Sequence, residues 1–365
     1  MSKIFEDLTI DEKIGQMIMV GMDVPNVIDK IDDLILKYKV GGILLYKKNY
    51  KNYEELVELI NYIKKINTAN KVPLFIAIDQ EGGRVNRMPN DFDNIPSPHS
   101  LAKYKKENMV EEAGDITGEM LNMLGFNFDF APVMDIKRFS DNHAIGDRAF
   151  SENKEIVSKC GIDYMKQLQN HNVVSVIKHF PGHGATNMDS HFILPIVKKR
   201  VEDIESEDIF PFREAMKNGA DAMLISHLKI KEIAKYPCSM SREFIVKYVR
   251  RKYNYKGLLI TDDFGMKGVQ ILYGKKFAAK KGFEAGNDII VVKYQNDEDC
   301  LENIIKSVKK NKKLQYKINN SVKKILDMKE KYNCNNDEIV VDKNFLNYIN
   351  KKINGLKEKL ENNNN

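Results

Sequence analysis

The chain has 365 residues, enough for one large domain or two ordinary ones, and its 42% hydrophobic and 9% aromatic content excludes a disordered chain. Lys and Arg number 58 against 52 Asp and Glu, but the +6 is local: residues 301–365 hold 15 Lys, no Arg and 8 acids, or +7, so residues 1–300 are near −1 and no nucleic-acid-binding body is expected. No run approaches the roughly 18 apolar residues of a membrane span, residues Met1–Lys13 contain no apolar signal core, and Cys160, Cys238, Cys300 and Cys334 form no CxxC pair. A cytosolic location is the expectation.

In chain order, short apolar runs alternate with stretches of helical spacing. The runs are Met17–Gly21, Gly42–Tyr46, Leu74–Asp79, Phe126–Pro132, Ser175–Phe180, Ala222–His227, Leu258–Asp263 and Asp288–Val292. Each is continuously aliphatic or β-branched, as for parallel strands buried on both faces. The helical candidates are Asn26–Tyr38, Tyr53–Asn67, Asn108–Leu124, Lys154–Asn170, Ile204–Asn218, Ser241–Tyr253 and Gly274–Ala285. Asp203 and Ser241 suit N-caps, and Gly125, Gly219 and Gly286 suit helix ends. The alternation predicts a TIM-type (β/α)8 barrel over residues 1–300. An open doubly wound sheet is the alternative, disfavoured because polar residues follow many strands rather than one switch point. Leu301–Tyr332 reads as a Lys-rich amphipathic helix packed on the barrel. Residues 333–365 read as a loosely held Lys- and Asn-rich tail, with a partner or an anionic surface as the alternative.

A barrel places its active site at the C-terminal strand ends. Those ends read Tyr46, Asp79, Asp135, Lys178-His179, His227 and Asp262-Asp263, a ring of polar and charged groups. The segment Lys178-His179-Phe180-Pro181-Gly182-His183-Gly184, continuing to Asp189-Ser190-His191, holds three of the chain's seven His. It admits two readings. His179, His183, Asp189 and His191 could ligate a metal, although all would come from one Gly-rich loop. In the other reading His191 is an acid/base oriented by Asp189, which raises the imidazole above its usual pKa of about 6.5 and keeps a proton available near neutrality. Asp262 or Asp263 can serve as metal ligand, base or nucleophile at an anomeric carbon; a capping role fits Asp263 better. After the third run, Gly82-Gly83 permits a tight loop and suggests phosphate, but no nucleotide fingerprint accompanies it. Asp79 and Arg87 suit recognition of hydroxyl and carboxylate groups. Arg148 lies in a loop and could be a surface ion pair.

These segments resemble the short, single-barrel NagZ-type β-N-acetylglucosaminidases of glycoside hydrolase family 3. The resemblance rests on Ile78–Val85, Phe130–Ile136, Gly146–Arg148, Lys178–Gly184, Asp189–His191 and Thr261–Asp263, in the family's order, and covers about residues 8–332. It implies a retaining glycosidase with Asp262 as nucleophile and His191, paired with Asp189, as acid and base. It implies that Asp79, Arg87, Arg148, Lys178 and His179 hold a terminal β-linked N-acetylglucosamine on a muropeptide or similar cell-wall fragment. No metal or organic cofactor, no nucleic acid and no membrane span is implied, and a monomer is expected. The chain lacks Trp, so any sugar stacking falls to Tyr, Phe or His. Phosphorolysis in place of hydrolysis is one alternative, a metal-dependent barrel hydrolase a second, and a non-catalytic sugar-binding module a third.

Overall fold

Each predicted run overlaps a strand: β1 (Ile18–Met22), β2 (Gly42–Leu44), β3 (Phe75–Ile78), β4 (Phe128–Asp129), β5 (Val174–Phe180), β6 (Ala222–Ile225), β7 (Leu258–Thr261) and β8 (Ile290–Tyr294). The computed structural model describes residues 2–25, 27–104, 108–138, 144–185, 194–197, 199–294 and 298–362. The strands pair in parallel in the order β8-β1-β2-β3-β4-β5-β6-β7. An open sheet would leave β7 and β8 as edges. Here they meet: Ile260 bridges Ile289 in parallel, and the Thr261 N–H donates to the Ile289 carbonyl at 3.0 Å. The sheet therefore closes into the barrel. Every residue of the eight strands is buried except His179 and Lys293. That explains the unbroken apolar runs, since strands between a filled interior and an outer helix layer have no solvent face.

The outer layer follows the predicted helices closely. Tyr53–Asn67, Met109–Met123, Lys154–Asn170, Phe210–Lys217 and Lys275–Ala285 are helical. In the first, Asn52 caps the Glu55 N–H at 2.9 Å, and Leu56, Ile60 and Ile63 form a fully buried stripe at helical spacing. Ser241 accepts from the Phe244 N–H and caps its helix as expected. Asp203 does not: its carboxylate is taken up by Arg200, three residues earlier.

The C-terminal region departs from the sequence reading in three ways. The helix after β8, Glu298–Lys309, completes the outer ring, so the barrel runs past residue 300. Leu301–Tyr332 is not one helix, because a turn at Lys312–Leu314 separates Glu298–Lys309 from Gln315–Lys331. The segment expected to be a loose tail contains a 20-residue helix, Lys343–Asn362, with Ile349, Ile353 and Leu356 wholly buried. Its lysines meet acids of the barrel body: Lys352 lies 3.1 Å from Asp115 and 2.6 Å from Glu119, Lys357 3.0 Å from Asp93, and Lys359 2.8 Å from Glu112. Three of the lysines behind the local positive charge are thus paired within the chain.

Candidate active site

The mouth of the barrel is built from strand ends distant in sequence. After β3 the chain continues as Asp79-Gln80-Glu81 and turns at Gly82 and Gly83, with φ of +82° and +55°. A side chain at Gly83 would sit 2.7 Å from Ser97 Cβ, so the turn requires glycine. The Gly83 N–H donates to the Ile95 carbonyl at 2.8 Å. It is committed to the fold, which weakens the phosphate reading of this pair.

Glu81 is the centre of the charged wall. It is 3% exposed, yet it accepts Arg148 Nε and Nη2 at 2.7 Å each and lies 2.5 Å from Lys178 Nζ. Lys178, near the end of β5, also reaches Asp79 Oδ1 at 2.8 Å. Burial alone would raise the Glu81 carboxyl, but Arg148 and Lys178 outweigh it and hold the group well below the usual carboxylate range. For Lys178 burial works to lower the pKa, and Asp79 and Glu81 reverse it, keeping the ammonium charged. This set of two cations and two anions, with Glu81 and Lys178 buried and Asp79 and Arg148 half-buried, is balanced and fixed in geometry.

His179 is oriented by Asp135, whose buried Oδ2 lies 2.7 Å from Nδ1. Nε2 faces Arg148 Nη2 at 3.4 Å. A guanidinium can only donate, so Nε2 accepts and the proton sits on Nδ1. Asp135 also accepts the His183 N–H at 2.6 Å. Burial would raise Asp135, but the neighbouring His179 and His183 hold it below its ordinary range.

The two acids after β7 have different environments. The Asp262 N–H donates to the Ile225 carbonyl at 3.0 Å, continuing the β6–β7 ladder, and Oδ1 accepts the Asp263 N–H at 2.9 Å. Asp263 Oδ1 accepts the N–H groups of Gly265 at 2.7 Å and Lys293 at 2.8 Å. Asp263 therefore organises the turn, and burial pushes its carboxyl above the ordinary range.

A cavity of about 350 Å3 occupies the mouth. Asp79, Arg87, Arg148, Lys178, His179 and Asp262 all line it. Asp189 and His191 lie outside the described residues. His227 does not line the cavity: it is buried, with Nδ1 at 2.7 Å from Ser239 Oγ and Nε2 at 3.0 Å from the Asp263 carbonyl. Among the described residues no three His, Cys, Asp or Glu side chains are grouped to hold a metal. The sequence reading did not single out Glu81, Arg84 or Lys293 as wall residues. Arg84 pins one loop to another through Asp147 at 2.7 Å, and Lys293 is the half-buried member of β8. Tyr46 and Phe130 are aromatic surfaces on the cavity wall.

A closed parallel barrel with carboxylates, cations and aromatic surfaces at its mouth is a glycoside hydrolase architecture. Residues 9–328 match the glycosyl hydrolase family 3 N terminal domain, and the chain belongs to that family. It is 34% identical over 255 residues to a β-hexosaminidase of Tolumonas auensis, covering 69% of this chain and 75% of the relative. It is 30% identical over 329 residues to β-hexosaminidase A of Pseudoalteromonas piscicida, covering 83% of this chain but 55% of that protein. A family 3 β-N-acetylglucosaminidase from Paenibacillus sp. str. FPU-7 superimposes with a TM-score of 0.88 at 30% identity, covering 96% of this chain and 69% of the other.

Proposed function

We propose that the chain is a retaining exo-β-N-acetylglucosaminidase that removes terminal β-linked N-acetylglucosamine from cell-wall fragments in the cytosol. One observation carries this reading: Asp262 shares a single cavity with Asp79, His179 and the two cations anchored by Glu81, Arg148 and Lys178. A sugar ring held by hydroxyl-binding charges beside a strand-end carboxylate is what glycosyl transfer to that carboxylate needs. Arg87, which also lines the cavity, adds guanidinium donors.

In this mechanism the Asp262 carboxylate attacks the anomeric carbon as the aglycone oxygen leaves with a proton from His191. Asp189 stabilises the imidazolium before transfer. Water then gives a proton back to His191 and displaces Asp262, releasing the sugar with its configuration retained. The relatives named β-hexosaminidase and β-N-acetylglucosaminidase support the choice of sugar.

The test is release of nitrophenol from p-nitrophenyl β-N-acetylglucosaminide, with and without added phosphate. Asp262→Asn should lower kcat by more than about a thousandfold, because it removes the covalent nucleophile. A loss below about tenfold would refute the assignment. Sugar 1-phosphate in place of free sugar would change the acceptor, not the nucleophile.

A further inference from the structure

One buried acid at the site has no part in that mechanism. Asp129 ends β4 and is 0% exposed. Its Oδ1 accepts the Gln80 N–H at 2.9 Å, and its Oδ2 has no hydrogen-bond partner among the described residues. Gln80, itself buried, stands between Asp79 and Glu81 and is held at two points. Asp129 holds its N–H. Its side-chain Oε1 accepts the Arg87 N–H at 2.8 Å. The residues on either side of Gln80 both grip Lys178, and the residue at its side chain lines the cavity. Displacing Gln80 therefore displaces three members of the sugar-facing wall together.

We propose that Asp129 is a positioning residue for sugar recognition, fixing the Asp79–Glu81 segment and the Arg87 turn through its hydrogen bond to Gln80. Its role is that of a hydrogen-bond acceptor and not of a charge. Burial, above all, and the negative charges of Asp79 and Glu81 push its carboxyl well above the ordinary range, against the opposing pull of the Gln80 N–H and Lys178. Ionised, it would set a third carboxylate against Lys178 and Arg148 and upset a balanced set. Neutral, it accepts one N–H and costs the site no charge. An amide has the same shape and the same acceptor, so asparagine should replace it, and alanine should not.

The proposal rests on the glycosidase reading for its kinetic consequence but not for its structural one, so two measurements are made on wild type, Asp129→Asn and Asp129→Ala. The first is hydrogen exchange of the 79–87 backbone in the free protein. Asp129→Ala should speed exchange there by about tenfold, since the buried Gln80 N–H loses its acceptor, and Asp129→Asn should leave it unchanged. The second is KM for the nitrophenyl substrate together with Kd for free N-acetylglucosamine. Both should rise about tenfold in Asp129→Ala, with kcat changing less, and return to near wild type in Asp129→Asn. Unchanged exchange in Asp129→Ala would overturn the proposal. So would an Asp129→Asn protein as impaired as Asp129→Ala, because a charge and not a hydrogen bond would then be at work. Absence of wild-type turnover would refute the glycosidase reading alone, and the exchange measurement would still decide the role of Asp129.

Discussion

Lys329 offers a sharp test of the packing at the other end of the barrel. It lies in the helix Gln315–Lys331, is 0% exposed, and donates to Gln16 Oε1 at 2.8 Å and the Gly41 carbonyl at 2.9 Å. Its Nζ sits 4.8 Å from the centre of the Phe75 ring. Neither oxygen is charged, so burial dominates and pushes the ammonium down from 10.5 to about 7. Between those values the unfolded chain binds the proton and the folded chain does not. Stability must therefore rise with pH across this window. Each pKa unit of difference is worth about 1.4 kcal/mol, which gives about 2 kcal/mol gained by this group between pH 7 and pH 9. Lys329→Met removes the titration while filling the same space. It leaves the two oxygens without their donor, a cost of about 1–3 kcal/mol that does not vary with pH in this range. Urea unfolding of both proteins at pH 7, 8 and 9 should show the wild type gaining about 2 kcal/mol relative to the variant. Parallel stabilities across the three pH values would refute the buried, uncompensated lysine.

Two further outcomes follow from the contacts. Glu81→Gln removes the carboxylate on which Arg148 and Lys178 both converge; it should lower kcat/KM on the nitrophenyl substrate at least about a hundredfold and cost about 3 kcal/mol in urea unfolding, as for a broken buried ion pair. Activity within about threefold of wild type would show that the wall does not depend on Glu81. Ile353→Ala, at the wholly buried centre of the terminal helix, should destabilise the chain by about 2–4 kcal/mol, measured by urea unfolding, whereas an undocked tail predicts no change.

The barrel was legible because most of its strands show no polar alternation. A run such as Leu258–Thr261 must be buried on both faces, and eight such runs separated by helices have few other closed arrangements. The terminal helix was not legible by composition. Its apolar residues Phe345, Leu346, Ile349, Ile353, Leu356 and Leu360 keep helical spacing, but Asn and Lys fill most of the gaps and dilute the signal. What holds it down is a buried stripe complemented by acids on Met109–Met123, a helix more than 200 positions earlier, and that pairing has no local trace.

The same distinction separates the two halves of the cavity wall. Asp79, Lys178, His179 and Asp262 announce themselves because each stands at or near the C-terminal end of an apolar run, the position that in a barrel opens on the mouth. Glu81 gives no such signal, and Asp129, although it ends β4, lies inside the run Phe126–Pro132 and not at its end. Glu81 reads as one more polar residue in a glycine-rich turn, yet it is the anion on which Arg148, 67 residues on, and Lys178 converge. Asp129 reads as an interruption between Phe128 and Phe130, and only its bond to Gln80 shows that the interruption is used. Residues that would touch the sugar are visible as exceptions to the barrel pattern, whereas residues that aim them are visible only as partners. Substituting Glu81 and Asp129 therefore tests whether the arrangement of the wall, and not only its composition, makes the site.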